Sequence, residues 1–156
     1  MKTKIYILLL LSFLVCGCKQ KEWIEWKTQN EIWLQQNKQK EGVQTTPSGL
    51  QYKILYEGNT TSTKPSAIST VYVAYTGTMI NGVVFDTQSS AAMSLQSTVK
   101  GFAEGMTKIY RSGDIELYIP WNLGYGVNGN GTEGYSGFIP PYSTLIFRIH
   151  LNDITN

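Results

Sequence analysis

Val71-Tyr-Val-Ala-Tyr75-Thr-Gly77, then Asn81-Gly82, then Val83-Val84-Phe85-Asp86 is the stretch on which the fold of this chain turns. Val71, Val73, Tyr75 and Gly77 fall on one face of an extended strand, because successive side chains alternate across a strand. Asn81-Gly82 lies between Thr76–Ile80 and Val83–Asp86, which predicts a tight hairpin, since both residues tolerate positive φ. The same period of two recurs on either side. Leu50, Tyr52, Ile54 and Tyr56 share one face upstream, while Ile115, Leu117 and Ile119 alternate with Glu116 and Tyr118. Leu145, Phe147, Ile149 and Leu151 alternate with Ile146, Arg148, His150 and Asn152. An antiparallel sheet with one packed face follows. Val99, Phe102, Met106 and Ile109 recur at helical spacing and Ser112-Gly113 stops the run, so one short helix packs on that sheet. The fold class is α+β.

The N-terminus reads differently. Met1 to Lys4 carries two lysines, Ile5 to Val15 is almost unbroken apolar sequence, and Cys16-Gly17-Cys18 follows. This is the pattern of an export signal, too short for the ~20 residues of a membrane span. It is also similar to a bacterial lipobox, which implies cleavage before Cys18 and acylation of that cysteine. Several acyl chains on one residue hold a domain firmly, at about 0.8 kcal/mol per buried methylene. The expectation is therefore a signal over residues 1–17, a lipid-anchored helical segment over 18–44, a globular domain over 45–156, and a place on a bacterial envelope membrane facing the periplasm. Lys19 to Gln39 contains no Gly or Pro and carries Trp23, Ile24, Trp26, Ile32, Trp33 and Leu34, so a helix with an apolar stripe is predicted, ended by Gly42. That stripe packs on the following domain, on a second copy in a homodimer, or on the headgroups of the anchoring membrane.

Composition excludes several function classes. With Cys16 cleaved and Cys18 acylated, no thiol remains for a disulfide, a metal site or nucleophilic attack. Loss of Lys2 and Lys4 takes the 13 basic residues to 11 against 11 acidic ones, so nothing recruits nucleic acid. One histidine, His150, rules out a multi-histidine metal centre, and its strand position lies opposite the packed stripe. No Gly-Lys-Ser/Thr follows the glycines of Gly126 to Gly137, so a phosphate loop is absent. No cofactor or metal is expected.

The ordered blocks resemble the FKBP-type peptidyl-prolyl cis-trans isomerase family. The strand Val71 to Gly77 with its hairpin and Phe85-Asp86, the helix block Val99-Lys-Gly101-Phe102-Ala-Glu-Gly105-Met106, the loop markers Ile119-Pro120, Tyr125-Gly126 and Phe138-Ile139-Pro140-Pro141, and Thr144 to Phe147 occur in family order. The resemblance implies an antiparallel sheet curled around one short central helix, here with an additional N-terminal helix. It also implies prolyl isomerisation on proline-containing polypeptides. By the same resemblance Tyr75, Phe85, Val99, Phe102, Ile139 and Phe147 line a proline pocket, with Phe102 as its floor. Phe138 closes over the substrate, Tyr125 bonds a substrate carbonyl, and Asp86 stands beside the twisting amide. Ordinary core packing is the alternative for Val99 and Phe147, and turn capping for Asp86.

Departures from the family pattern are specific. Phe102 stands where tryptophan is usual, and between Asp86 and Val99 there is neither the arginine that pairs with the aspartate nor a walling aromatic, Ala91 or Ala92 falling there instead. The Tyr125 to Pro141 loop is longer and richer in glycine. These features favour a more open pocket and weaker macrolide binding. They leave three readings: an isomerase for exported proteins, a low-turnover chaperone or peptide-binding module, and an interaction subunit using the Trp-rich helix. The anchor is the part read from sequence alone. Labelled lipid should be incorporated by the native chain in cells, and Cys18→Ser should abolish it; labelling that survives removes the assignment.

Overall fold

The computed structural model describes residues 21–155. The signal and Cys18 lie outside the described residues. Helix α1 covers residues 21–37. Six strands follow, β1 (Gln44–Thr45), β2 (Gln51–Tyr56), β3 (Thr70–Thr78), β4 (Val84–Ser94), β5 (Asp114–Ile119) and β6 (Leu145–Thr155), with helix α2 (Lys100–Met106) between β4 and β5. The strands form one antiparallel sheet in the order β1-β2-β5-β6-β3-β4. This is the α+β arrangement expected.

The period-two reading locates the core. Val71, Val73, Tyr75, Ile115, Leu117, Ile119, Leu145, Phe147, Ile149 and Leu151 are all buried, and α2 adds Phe102 and Met106 from the other side. Helix α2 lies so close to β5 that it approaches through glycine: a Cβ on Gly101 would stand 2.4 Å from Ile119 Cγ2, and one on Gly105 2.4 Å from Leu117 Cδ2.

Three local expectations are corrected. In the hairpin only Gly82 takes positive φ (+81°); its N–H bonds Met79 O at 2.9 Å while Asn81 Oδ1 accepts from the Val83 N–H at 3.1 Å. Asn81 thus acts through its side chain rather than a left-handed backbone. Helix α2 ends at Met106, with the Thr107 hydroxyl bonded to Glu104 O at 2.7 Å, well short of Ser112-Gly113. Those two residues instead join the next turn to β6, Ser112 N–H donating to Leu151 O and Leu151 N–H to Gly113 O. Gly42, at φ +78°, turns the chain toward β1 after α1 has already closed at residue 37.

The N-terminal helix packs on its own domain, but not through the whole apolar set. Trp26, Asn30, Trp33, Leu34 and Asn37 face the sheet, while Ile24 and Ile32 are 57% and 52% exposed. Polar clips fix the contact. Asn30 Oδ1 accepts the Thr144 N–H at 2.7 Å, Trp26 Nε1 donates to Ser143 Oγ at 2.9 Å, and Asn37 Nδ2 donates to Gln51 Oε1 at 3.0 Å. Gln51 Nε2 in turn reaches Leu34 O at 2.9 Å, and the Trp33 ring packs at a tilt against Tyr118, centroids 5.8 Å apart. Asn30 is fully buried, so Asn30→Ala strands the Thr144 N–H away from water. Urea unfolding should show a loss of about 1–3 kcal/mol, the penalty of an unsatisfied buried donor.

Candidate functional site

Four rings from three strands and α2 meet on the concave side of the sheet. Phe147 of β6 is central, with centroids 5.3 Å from Phe102, 5.4 Å from Phe85 and 5.7 Å from Tyr75, all edge to face. Tyr75 and Phe102 are 6.3 Å apart at 71°. Such contacts contribute about 0.5–1.5 kcal/mol each beyond burial and lock ring orientation. Gly77 makes room for them: a Cβ there would come 2.5 Å from Phe85 Cζ.

Above the rings is a cavity of about 280 Å³, lined by Tyr75, Phe85, Asp86, Val99, Phe102, Tyr125, Ile139 and Phe147, together with Met93, Ser97, Thr98, Asn130 and Gly137. Eight of the sequence-selected residues thus come together. Phe138 does not join them; its ring sits 6.4 Å from Trp23 beside a separate groove. The wall expected from Ala91 or Ala92 is supplied by Met93, which pairs with Val71 in the ladder. Met93 was missed because Thr87 to Ser94 shows no alternation, being held in the sheet by β3 rather than by its own pattern.

The polar groups divide into engaged and free. Tyr75 donates its hydroxyl to Asp86 Oδ2 at 2.5 Å, and Gln88 Nε2 approaches Asp86 Oδ1 at 3.4 Å. No lysine or arginine pairs with Asp86 among the described residues. Burial, followed by the hydrogen bond to Asp86, raises the Tyr75 hydroxyl well above the ordinary tyrosine range. Tyr125 at the rim, 38% exposed, is also raised, by burial and then by the Asp86 charge. Its hydroxyl makes no hydrogen bond among the described residues, and the Val99 N–H has no backbone acceptor. Two donors therefore stand available at a hollow whose floor is aromatic. His150 lies elsewhere, bonded through Nδ1 to Asp114 Oδ1 at 3.0 Å on the outer face.

Residues 61–152 match the family described as FKBP-type peptidyl-prolyl cis-trans isomerase, and residues 18–54 match the domain amino terminal to it. The chain belongs to the FKBP-type peptidyl-prolyl cis-trans isomerase family. It is 38% identical over 129 residues to the outer membrane protein MIP of Legionella longbeachae, covering 80% of this chain and 52% of that one. It is 36% identical over 126 residues to the FKBP-type 22 kDa peptidyl-prolyl cis-trans isomerase of Escherichia coli (strain K12), covering 78% and 58%. The crystal structure of FkpA from Escherichia coli superposes with TM-score 0.80 at 30% identity, covering 87% of this chain and 62% of that one. The chain spans about half the length of the curated relatives it matches.

The tyrosines carry a pH signature for this member of the family. Tyr75, Tyr125 and Tyr118, the last held by burial and by Glu116, keep their protons in the native state above the ordinary 10.0. Their contribution to stability is complete below about pH 10 and is lost as pH rises through the native values, because the unfolded chain releases those protons first. In an alkaline titration followed near 295 nm these should form a late-ionising class among the 10 tyrosines. Tyr75→Phe should remove one member of it; an unchanged late class would show that the Tyr75–Asp86 pairing is wrong.

Proposed function

We propose that this chain is a peptidyl-prolyl cis-trans isomerase that assists folding of exported polypeptides in a bacterial cell envelope, held to the membrane by lipid on Cys18. In this reading residues 18–44 form the anchored helical segment and residues 45–156 the isomerase domain. The observation that carries it is the ring-lined cavity with the free Tyr125 hydroxyl at its rim. The outward Ile24 and Ile32 of α1 form the face on which two copies would meet.

The chemistry needs no proton transfer. Rotation about an Xaa-Pro bond is opposed by a barrier of ~18–20 kcal/mol, the loss of amide resonance. The planar amide is more dipolar than the twisted one, so moving it from water to the walls of Phe85, Phe102, Ile139 and Phe147 disfavours the starting state relative to the transition state. Phe102 carries the prolyl ring, Tyr125 donates to a substrate carbonyl, and the Val99 N–H supplies a second donor. Asp86, oriented by Tyr75, stands by the twisting amide, where its charge acts on the changing amide dipole. Phe138 reaches the flanking substrate residues rather than the proline.

A second reading, a low-turnover holder of proline-containing segments, is favoured by Phe102 in place of a larger indole and by the lack, among the described residues, of a cationic partner for Asp86. Exchange NMR on an Xaa-Pro peptide separates the two. The isomerase reading expects turnover well above the spontaneous rate. Tyr125→Phe should then lower kcat/KM about two- to tenfold, the value of one hydrogen bond, and Phe102→Leu should lower it further while leaving the chain folded. Spontaneous-rate exchange with suppressed aggregation of an unfolded client selects the holder, and full activity in both variants removes this cavity as the site.

A further inference from the structure

A second cavity lies between α1 and the loop of residues 133–140. It has a volume of about 400 Å³, with Trp23, Trp26 and Phe138 as its apolar walls and Glu22, Glu25 and Glu133 around them. Among the described residues no lysine or arginine lines it. A shallow depression lies between it and the prolyl cavity: this depression shares Phe85, Asp86 and Gly137 with the cavity and Phe138 with the groove. Its remaining surface includes Val83, Val84 and Tyr135, which are 50%, 53% and 74% exposed. The three hollows therefore share wall residues in series, with the acidic groove at the far end.

We propose that this far groove is a subsite for the lysine or arginine side chain of a substrate segment whose proline occupies the ring-lined cavity. The inference rests on the prolyl reading of that cavity and adds the class of sequence it prefers. Charge complementarity identifies the occupant. Glu22 and Glu25 form no ion pair among the described residues, and Lys27 of the same helix is turned away toward Glu31, Trp121 and Tyr142. An apolar or acidic side chain seated there would desolvate Glu22 and Glu25 without compensation. A basic one brings an aliphatic stem to lie along the rings, a cation for the indole faces and donors for the carboxylates. The exposed Val83, Val84 and Tyr135 are covered by the intervening residues of the same segment.

The test uses the full chain and peptides with one Xaa-Pro bond, carrying lysine, norleucine or glutamate up to about six positions, or ~20 Å of extended chain, on either side of the proline. At one position on one side, kcat/KM for lysine should exceed that for norleucine about tenfold, with glutamate lowest, and the preference should fall with salt. The Glu22→Gln, Glu25→Gln double variant should bring the lysine-to-norleucine ratio close to one, and Glu25→Lys should turn the preference toward glutamate. Equal kcat/KM for all three side chains at every position, with the norleucine peptides still turned over, overturns the subsite and leaves the isomerase reading standing. If no peptide is turned over, that reading fails instead. Fluorescence anisotropy of the same peptides then decides the subsite by the same ratio in binding.

Discussion

The close seating of α2 on β5 is the constraint from which the site follows. Gly101 and Gly105 stand four residues apart on one face of the helix, and both meet strand side chains where a Cβ would intrude. With the helix backbone lowered onto Ile119 and Leu117, the next residue, Phe102, is carried under the sheet to within ring contact of Tyr75 and Phe147. A helix held one side chain higher would lift Phe102 out of this cluster and fill the cavity from below. Interior packing tolerates no such gap, so cavity depth is set by two hydrogen atoms standing where methyl groups would be.

The same geometry decides which polar groups remain available. Tyr75 is held by Phe102 and Phe147, and in that orientation its hydroxyl reaches Asp86. This gives a carboxylate without a cationic partner one firm donor, and its partial exposure supplies solvation for the rest. Because Tyr75 is engaged, the rim hydroxyl of Tyr125 is left as the tyrosine donor without a partner among the described residues. Both phenols are protonated throughout the neutral range, as ordinary tyrosines are, and burial carries that state to higher pH.

Much of this was legible in the order of residues because it depends on period and spacing. The alternation from Val71 to Gly77 and from Leu145 to Leu151 reports burial directly, and Val99, Phe102 and Met106 mark a helix face. Family resemblance, not pattern, assigned Tyr125 and Asp86 to the cavity. What could not be read depends on partners distant in sequence. β4 runs to Ser94 through small polar residues with little strand preference because β3 supplies its ladder. Asn30 and Asn37, polar residues of low burial tendency, are buried because one meets Thr144 and the other Gln51. Phe138 is expected from the resemblance to close over the substrate, and its contact with Trp23 of the N-terminal helix could not be read from the sequence.

That last contact changes what α1 is for. Ser143 accepts from Trp26 Nε1 and donates from the same hydroxyl to Pro140 O at 2.8 Å, so the helix is tied to the loop that delivers Ile139 to the cavity wall. Trp23 against Phe138 fixes the same loop one residue on the other side of Ile139. Asn30, bonded to the Thr144 N–H, secures the start of β6, from which Phe147 projects one turn of the pleat later. Three contacts of one helix therefore bear on two walls of the cavity. A loop with this much glycine has many conformations to lose on ordering, and the cost of holding it in one of them is offset by α1 rather than by the sheet. The helix belongs to the architecture of the site, and a domain cut away from it would keep the ring cluster while loosening the wall that Ile139 provides.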